Sequence, residues 1–167
     1  LAAMLREHHL PPPAADTTHL RIDLGQVRLR WELHTEFVTW SFGLRMTEDA
    51  LSDPNPRTAL DVVSLDWLSA FPGECLCSLD LWVLNGAGQA LDAMAPSVLR
   101  DDTLVGASVA GGQARVYTDF AIHADGGSRM VLLAGDLHPR RLGRLVQRLL
   151  EIETYRMAAL LGLPAAR

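Results

Sequence analysis

The stretch VRLRWELH, residues 27–34, alternates apolar and polar side chains without a break. Successive side chains of an extended chain point to opposite faces, so Val27, Leu29, Trp31 and Leu33 lie together on one face. A helix would instead need apolar residues three and four positions apart. The stretch therefore predicts a β-strand whose apolar face packs on a core and whose polar face is solvated.

Two further strands are predicted beside this one. Residues 19–24 also alternate, and Gly25-Gln26 suits the two-residue turn that would join them to residues 27–34. Residues 37–42 are rich in β-branched and aromatic residues, which is typical of a strand. The region predicts a three-stranded β-meander.

A second meander is predicted over residues 103–134, with turns at residues 111–112 and 125–127. Its middle strand is expected to be long, covering about residues 113–123. Residues 75–84 form a mostly apolar run and predict one more strand, buried on both faces. Together with the first meander, these segments predict about seven strands in one sheet.

Residues 139–161 predict a long amphipathic helix that closes the domain. At about 100° per residue, its apolar residues fall within one arc: Leu142, Leu145, Val146, Leu149, Met157 and Leu160. Glu153 and Arg156 project into the same arc, and a charge buried alone there would be costly. Three interpretations stay open: a structural charge pair that fixes the helix against a strand, an inter-subunit contact, or a ligand or ion site.

The predicted fold class is α+β. It is a mixed, largely antiparallel sheet of about seven strands, two three-stranded meanders plus one strand, with short helices and a long C-terminal amphipathic helix. Residues 1–18 are interpreted as a helix end and a Pro-rich spacer, because three prolines stand at 11–13. Residues 19–167 are interpreted as a single α+β domain. The chain begins with Leu1 and ends at Arg167, just after the predicted helix, so we expect a fragment of a longer protein.

Composition narrows the function classes. The chain has 167 residues and a net charge of −5, which disfavours nucleic acid as a partner. It contains no run of 18 or more apolar residues of the kind that spans a membrane. Its two cysteines, Cys75 and Cys77, are too close in sequence for a disulfide between them to stabilise the fold, so a reducing cytoplasmic compartment is expected. We predict that both thiols are buried in the core and that neither binds a metal.

Asp119, His123 and Asp125 form the candidate site at the end of the long middle strand. Asp119 and His123 would share a strand face, where a carboxylate and an imidazole suit a metal, ligand or acid–base site. The structural alternative is that Asp125 serves the following turn and that Asp119 pairs with an arginine such as Arg115 or Arg21. No phosphate-binding loop, nucleophile elbow or specific triad spacing is present, so no catalytic residue and no cofactor are assigned.

Five runs carry a resemblance to a known family: HLRIDLG at 19–25, WELHTEF at 31–37, DWLSAFPGE at 66–74, VGASVAGGQARVYTDF at 105–120 and GRLVQRLLEIETYRMAALLGLPAAR at 143–167. They are similar to runs in a family of uncharacterised, predicted membrane-anchored proteins of proteobacteria. The resemblance implies further helices and an apolar hairpin after this chain, and so a membrane partner through a segment that the chain lacks. No activity is established for that family, and no catalytic residue is implied.

The predicted element order is also similar, at the level of layout alone, to that of CorA-type cation channels. The leading expectation is a non-enzymatic soluble domain at the cytoplasmic face of the bacterial inner membrane, with an assembly or regulatory role and a homo-oligomeric state. One alternative is an ion-sensing domain of a CorA-like transporter, using acidic residues such as Asp101, Asp102, Asp119 or Asp125. Another is an enzyme that uses Asp119, His123 and Asp125.

Overall fold

The computed structural model describes residues 1–47, 53, 56–63, 73–85, 98–134, 144, 147–148 and 150–152. The chain divides into two compact units. The first unit comprises Leu1–Arg45 and Thr58–Glu74, and the second comprises Met46–Arg57 and Cys75–Arg167.

The described residues of the first unit form one helix and one sheet. Helix α1 (Ala2–Glu7) precedes the strands β1 (His19–Asp23), β2 (Val27–Leu33) and β3 (Val38–Leu44), which pair in the order β1-β2-β3. Both pairings are antiparallel, so the predicted first meander is confirmed. Gly25 adopts a φ of 84°, which glycine reaches without strain, and its N–H donates to the Asp23 carboxylate at 2.9 Å.

The apolar face of this sheet packs against helix α1. Met4 and Leu5 of the helix are buried together with Leu29 of β2. On the same strand Trp31 is buried and meets Trp40 of β3 edge to face, with 6.4 Å between ring centroids. Such cross-strand aromatic pairs hold neighbouring strands in register.

The second unit contains a four-stranded sheet. Its strands are β4 (Leu79–Asn85), β5 (Val105–Val109), β6 (Ala114–Thr118) and β7 (Ser128–Ala134), in the order β4-β7-β6-β5. β5, β6 and β7 pair antiparallel, which confirms the second meander, and β4 pairs parallel to β7.

The central strand β7 has an apolar cluster on each face. Val131 and Leu133 lie in a buried cluster with Trp82, and Leu132 lies on the opposite face in a cluster with Ala114. A strand covered on both faces needs a continuous apolar run rather than alternation, and β7 has one from Met130 onward.

The predicted fold class is wrong in two respects. The seven strands form two sheets, of three and four strands, instead of one. Among the described residues no helix reaches seven residues, and no long C-terminal helix is seen. Of the predicted closing helix, the structure describes residues 144, 147–148 and 150–152, all with helical backbone. Strand periodicity predicts where strands run, but sheet membership depends on pairing between distant segments.

Helix α1 agrees with the predicted N-terminal helix end. The predicted boundary between residues 1–18 and 19–167 stays a prediction. Within the described residues, no helix is both long enough and apolar enough to cross a membrane.

Candidate functional site

The candidate site lies in the chain segment after β6, which we call the 119–125 loop. β6 ends at Thr118, not near His123 as predicted. The Thr118 hydroxyl donates to the carbonyl of Arg129 at 3.0 Å and accepts from the N–H of Phe120 at 3.2 Å. These two bonds turn the chain away from the sheet. Phe120 follows with a φ of 51°, in the left-handed region that residues other than glycine rarely adopt.

Asp119 anchors this loop. Its side chain is fully buried, and both carboxylate oxygens accept hydrogen bonds. Oδ2 accepts from the Arg100 N–H at 2.8 Å and from His123 Nε2 at 2.9 Å, while Oδ1 accepts from the Ala121 N–H at 3.0 Å. Because an ionised carboxylate only accepts, the proton shared with His123 is assigned to Nε2.

The surroundings of Asp119 favour its ionised form. Burial alone would raise the pKa of the carboxyl, but the N–H groups of Arg100 and Ala121, together with His123, outweigh it and lower the pKa. The carboxylate is therefore charged at neutral pH and its hydrogen bonds are charge-assisted.

Asp125 takes a different role in the same loop. Its Oδ1 accepts from the Gly127 N–H at 3.0 Å, and its Oδ2 accepts from Arg129 Nη2 at 3.0 Å. The pKa of Asp125 is lowered by the bond from Gly127 first and then by Arg129. Asp125 therefore serves the turn, as the structural alternative predicted.

The loop is closed by backbone bonds as well. The His123 N–H donates to the Gly127 carbonyl at 2.9 Å, and the Gly126 N–H donates to the His123 carbonyl at 2.9 Å. Arg129 also donates from Nη1 to the Val98 carbonyl at 3.3 Å. Asp119, His123 and the turn therefore belong to one connected hydrogen-bond network.

The structure brings two of the three candidate residues together. Asp119 and His123 are paired, whereas Asp125 bonds to Gly127 and Arg129. The predicted pairing of Asp119 with Arg115 or Arg21 is wrong, because its partners are an imidazole and two backbone N–H groups. Three of the roughly four acceptor sites of the Asp119 carboxylate are occupied by these donors. The ligand or ion role of the three residues stays a prediction.

Two apolar side chains of the loop face solvent. Phe120 is 78% exposed and Ile122 is 67% exposed. Their exposure was not predicted, because the middle strand was expected to continue to about His123. Nothing in the spacing marks the left-handed backbone at Phe120, which depends on the buried partners of Asp119.

The other residues considered from the sequence are two cysteines, a predicted charge pair and two aspartates. Cys75 and Cys77 are free thiols and exposed, so the prediction of buried core thiols is wrong. Glu153 and Arg156, the predicted charge pair or interface, lie outside the described residues. Asp101 and Asp102 belong to a short 3-10 turn, Asp101–Thr103.

In the described part of the chain, two small sheets are present, and the buried Asp119, paired with the partly buried His123, fixes an exposed apolar loop. The chain belongs to the family described as "Protein of unknown function (DUF3422)", whose model matches residues 1–167. The predicted membership of a family of unknown function is thus confirmed. No curated protein and no solved structure is significantly similar to the chain.

Proposed function

We propose that this chain is a binding module with an assembly or regulatory role. It would be the soluble domain of a membrane-anchored protein at the cytoplasmic face of the bacterial inner membrane. Its contact surface for a partner protein would be the 119–125 loop. The anchoring and the location rest on the resemblance of the five sequence runs. The contact surface rests on one observation, the exposed Phe120 in a left-handed conformation.

This observation is energetically unusual. A non-glycine residue in the left-handed region costs on the order of 1–3 kcal/mol. Phe120 is also mostly exposed, so burial of its ring does not offset that cost. The three hydrogen bonds to Asp119 hold the loop in this conformation nonetheless. Backbone strain of this kind clusters at binding and catalytic sites.

The side chains that the loop presents suit a protein partner. Phe120 and Ile122 are separated by one residue and both project into solvent. Aromatic residues are enriched in protein interfaces, and a residue whose backbone is fixed before binding loses less conformational entropy on contact. The fixed loop therefore supports binding through preorganised apolar anchors.

The two alternative functions receive less support. An ion sensor or an enzyme would need carboxylate oxygens of Asp119 or Asp125 that are available to an ion or a substrate. In the structure, the oxygens of Asp119 accept from backbone N–H groups and His123, and those of Asp125 accept from Gly127 and Arg129. These contacts favour a structural role for both carboxylates.

Site-specific photo-crosslinking in the cell tests the proposal. A photoreactive phenylalanine analogue replaces Phe120, or Ile122, in the full-length protein. Both positions are expected to give a discrete protein adduct. The matched control is Val38, which is 41% exposed on a strand of the first unit and should give none. Addition of Asp119→Asn should weaken the adduct, because the loop loses its anchor.

The outcomes separate the possibilities. Crosslinking at Phe120 no stronger than at Val38 would contradict the assignment of the loop as a contact surface. Adducts to lipid alone would show that the loop contacts the bilayer and not a protein. A protein adduct that persists unchanged with Asp119→Asn would show that the hydrogen-bond network does not prepare the surface.

A further inference from the structure

The edge of the four-stranded sheet is a second surface, independent of the 119–125 loop. β5 is the outermost strand and pairs with β6 on one side. Residues 105–108 are exposed, with Val105 at 46%. Apart from the β6 pairing, no backbone hydrogen bond links β5 to another described residue. As far as the described residues show, the outer N–H and C=O groups of β5 are therefore available for pairing.

β5 lacks two of the features by which proteins protect a sheet edge. Charged side chains and proline commonly prevent edge-to-edge pairing. β5 has the sequence Val-Gly-Ala-Ser-Val, with neither. The opposite edge strand, β4, carries Asp80, and the first unit's edge strand β1 carries Arg21 and Asp23. β5 thus differs from both of these edges.

The sequence of β5 is complementary to itself in an antiparallel arrangement. With Ala107 opposite its own copy, Val105 lies opposite Val109 and Gly106 lies opposite Ser108. Valine then faces valine, small residues face small residues, and no like charges meet. We infer that β5 pairs with β5 of a second copy of this chain about a two-fold axis at Ala107, which joins two four-stranded sheets into one of eight strands.

The two faces of the sheet are compatible with this pairing. Ala107 is in register with Val116 of β6, which packs on the cluster around Leu132, so the apolar face would continue from one copy into the other. On the opposite face Gly106 lies under the ring of Tyr117, where a Cβ would come within 2.8 Å of Cε1. The absence of a side chain at Gly106 lets the ring cover the edge strand.

The interface is small, and this sets the expected behaviour. Five residues per copy bury less than the roughly 1,000 Å² that stable interfaces require. The dimer is therefore weak and concentration-dependent, and the pairing is isologous, as two-fold symmetry requires.

Substitutions of opposite charge at Ala107, on the two-fold axis, test the pairing of β5 with its copy. Sedimentation velocity of the full chain should show reversible dimerisation that rises with protein concentration. Ala107→Lys and Ala107→Glu should each weaken it by up to about fivefold, because each copy places like charges opposite each other. An equal mixture of the two variants should regain dimerisation, since lysine then faces glutamate. Gln113→Lys, at an exposed position just outside the strand, is the control and should behave like the wild type.

Disulfide trapping gives a second measurement that does not depend on charge. In a Cys75→Ser, Cys77→Ser background, Ala107→Cys should form a crosslinked dimer on mild oxidation, since residue 107 lies opposite itself. Val105→Cys should not, because its own copy would be about 13 Å away along the strand. Wild-type chain that stays monomeric at all concentrations, a charge-swap mixture that does not recover, or equal trapping at 105 and 107 would each overturn the inference.

Discussion

Replacement of Asp119 by asparagine tests whether this carboxylate fixes the 119–125 loop. Asparagine has nearly the same shape but only one acceptor oxygen. Asp119 accepts from Arg100 and His123 on one oxygen and from Ala121 on the other. In either amide orientation, a nitrogen that cannot accept faces a backbone N–H, of Ala121 or of Arg100.

The expected loss follows from these contacts. A backbone N–H left without a partner in a buried site costs about 1–3 kcal/mol. The N–H that keeps its partner exchanges a charged acceptor for a neutral one, which costs about a further 0.5–1 kcal/mol. His123 can change tautomer and keep its bond. The free energy of unfolding should therefore fall by about 1.5–4 kcal/mol.

Urea unfolding followed by far-UV circular dichroism measures this loss, and amide exchange at Arg100 and Ala121 locates it. Asp125→Asn is the matched control. The Asp125 side chain is half exposed, and asparagine can still accept from Gly127, so only its ion pair with Arg129 is lost. That change should cost less than about 1 kcal/mol. An Asp119→Asn variant within about 0.5 kcal/mol of the wild type would refute the role of the carboxylate as an anchor.

Three other perturbations have expected outcomes. The pKa values of Asp119 and Asp125 are lowered by folding, so the unfolded chain binds protons first as pH falls. The free energy of unfolding, measured with urea, should be at its full value above about pH 5 and decline as pH falls through the folded pKa values. The decline should be less steep in Asp119→Asn. Gly106→Ala should lower the thermal midpoint, at a cost of about 1–3 kcal/mol, because the Tyr117 ring must move. Leu132→Ala, at a fully buried position, should cost about 2–5 kcal/mol in urea unfolding; unchanged midpoints in either variant would contradict the packing described.

Much of the local structure was predictable because strand periodicity depends on neighbouring residues. The alternation of Val27, Leu29, Trp31 and Leu33 correctly predicted β2; the first three residues are buried, whereas Leu33 at the end of the strand is 46% exposed. The role of Asp125 was predictable for the same reason, since an aspartate two residues before Gly127 commonly bonds to that N–H. Both features involve contacts close in sequence.

The assignment of strands to sheets depends on contacts that are distant in sequence. β4 pairs parallel to β7, with two strands of the same sheet between them in the chain. No local pattern distinguishes this arrangement from a single sheet of seven strands. The hydrogen bond from the Arg100 N–H to Asp119 is also a contact between distant residues, because Arg100 lies 19 residues earlier in the chain.

The end of β6 shows why the candidate site was only partly predictable. Alternation in Thr118 to His123 favours a continuing strand, and in a strand Phe120 and Ile122 would share one face. The side chains of Thr118 and Asp119 instead satisfy the N–H groups of Phe120 and Ala121, which a strand would bond to its neighbour. The local bonds end the strand, and the two apolar residues that would have packed on the sheet are left in solvent. The side-chain hydrogen bonds that end the strand early make its periodicity misleading. The same bonds therefore create the surface that we propose for binding.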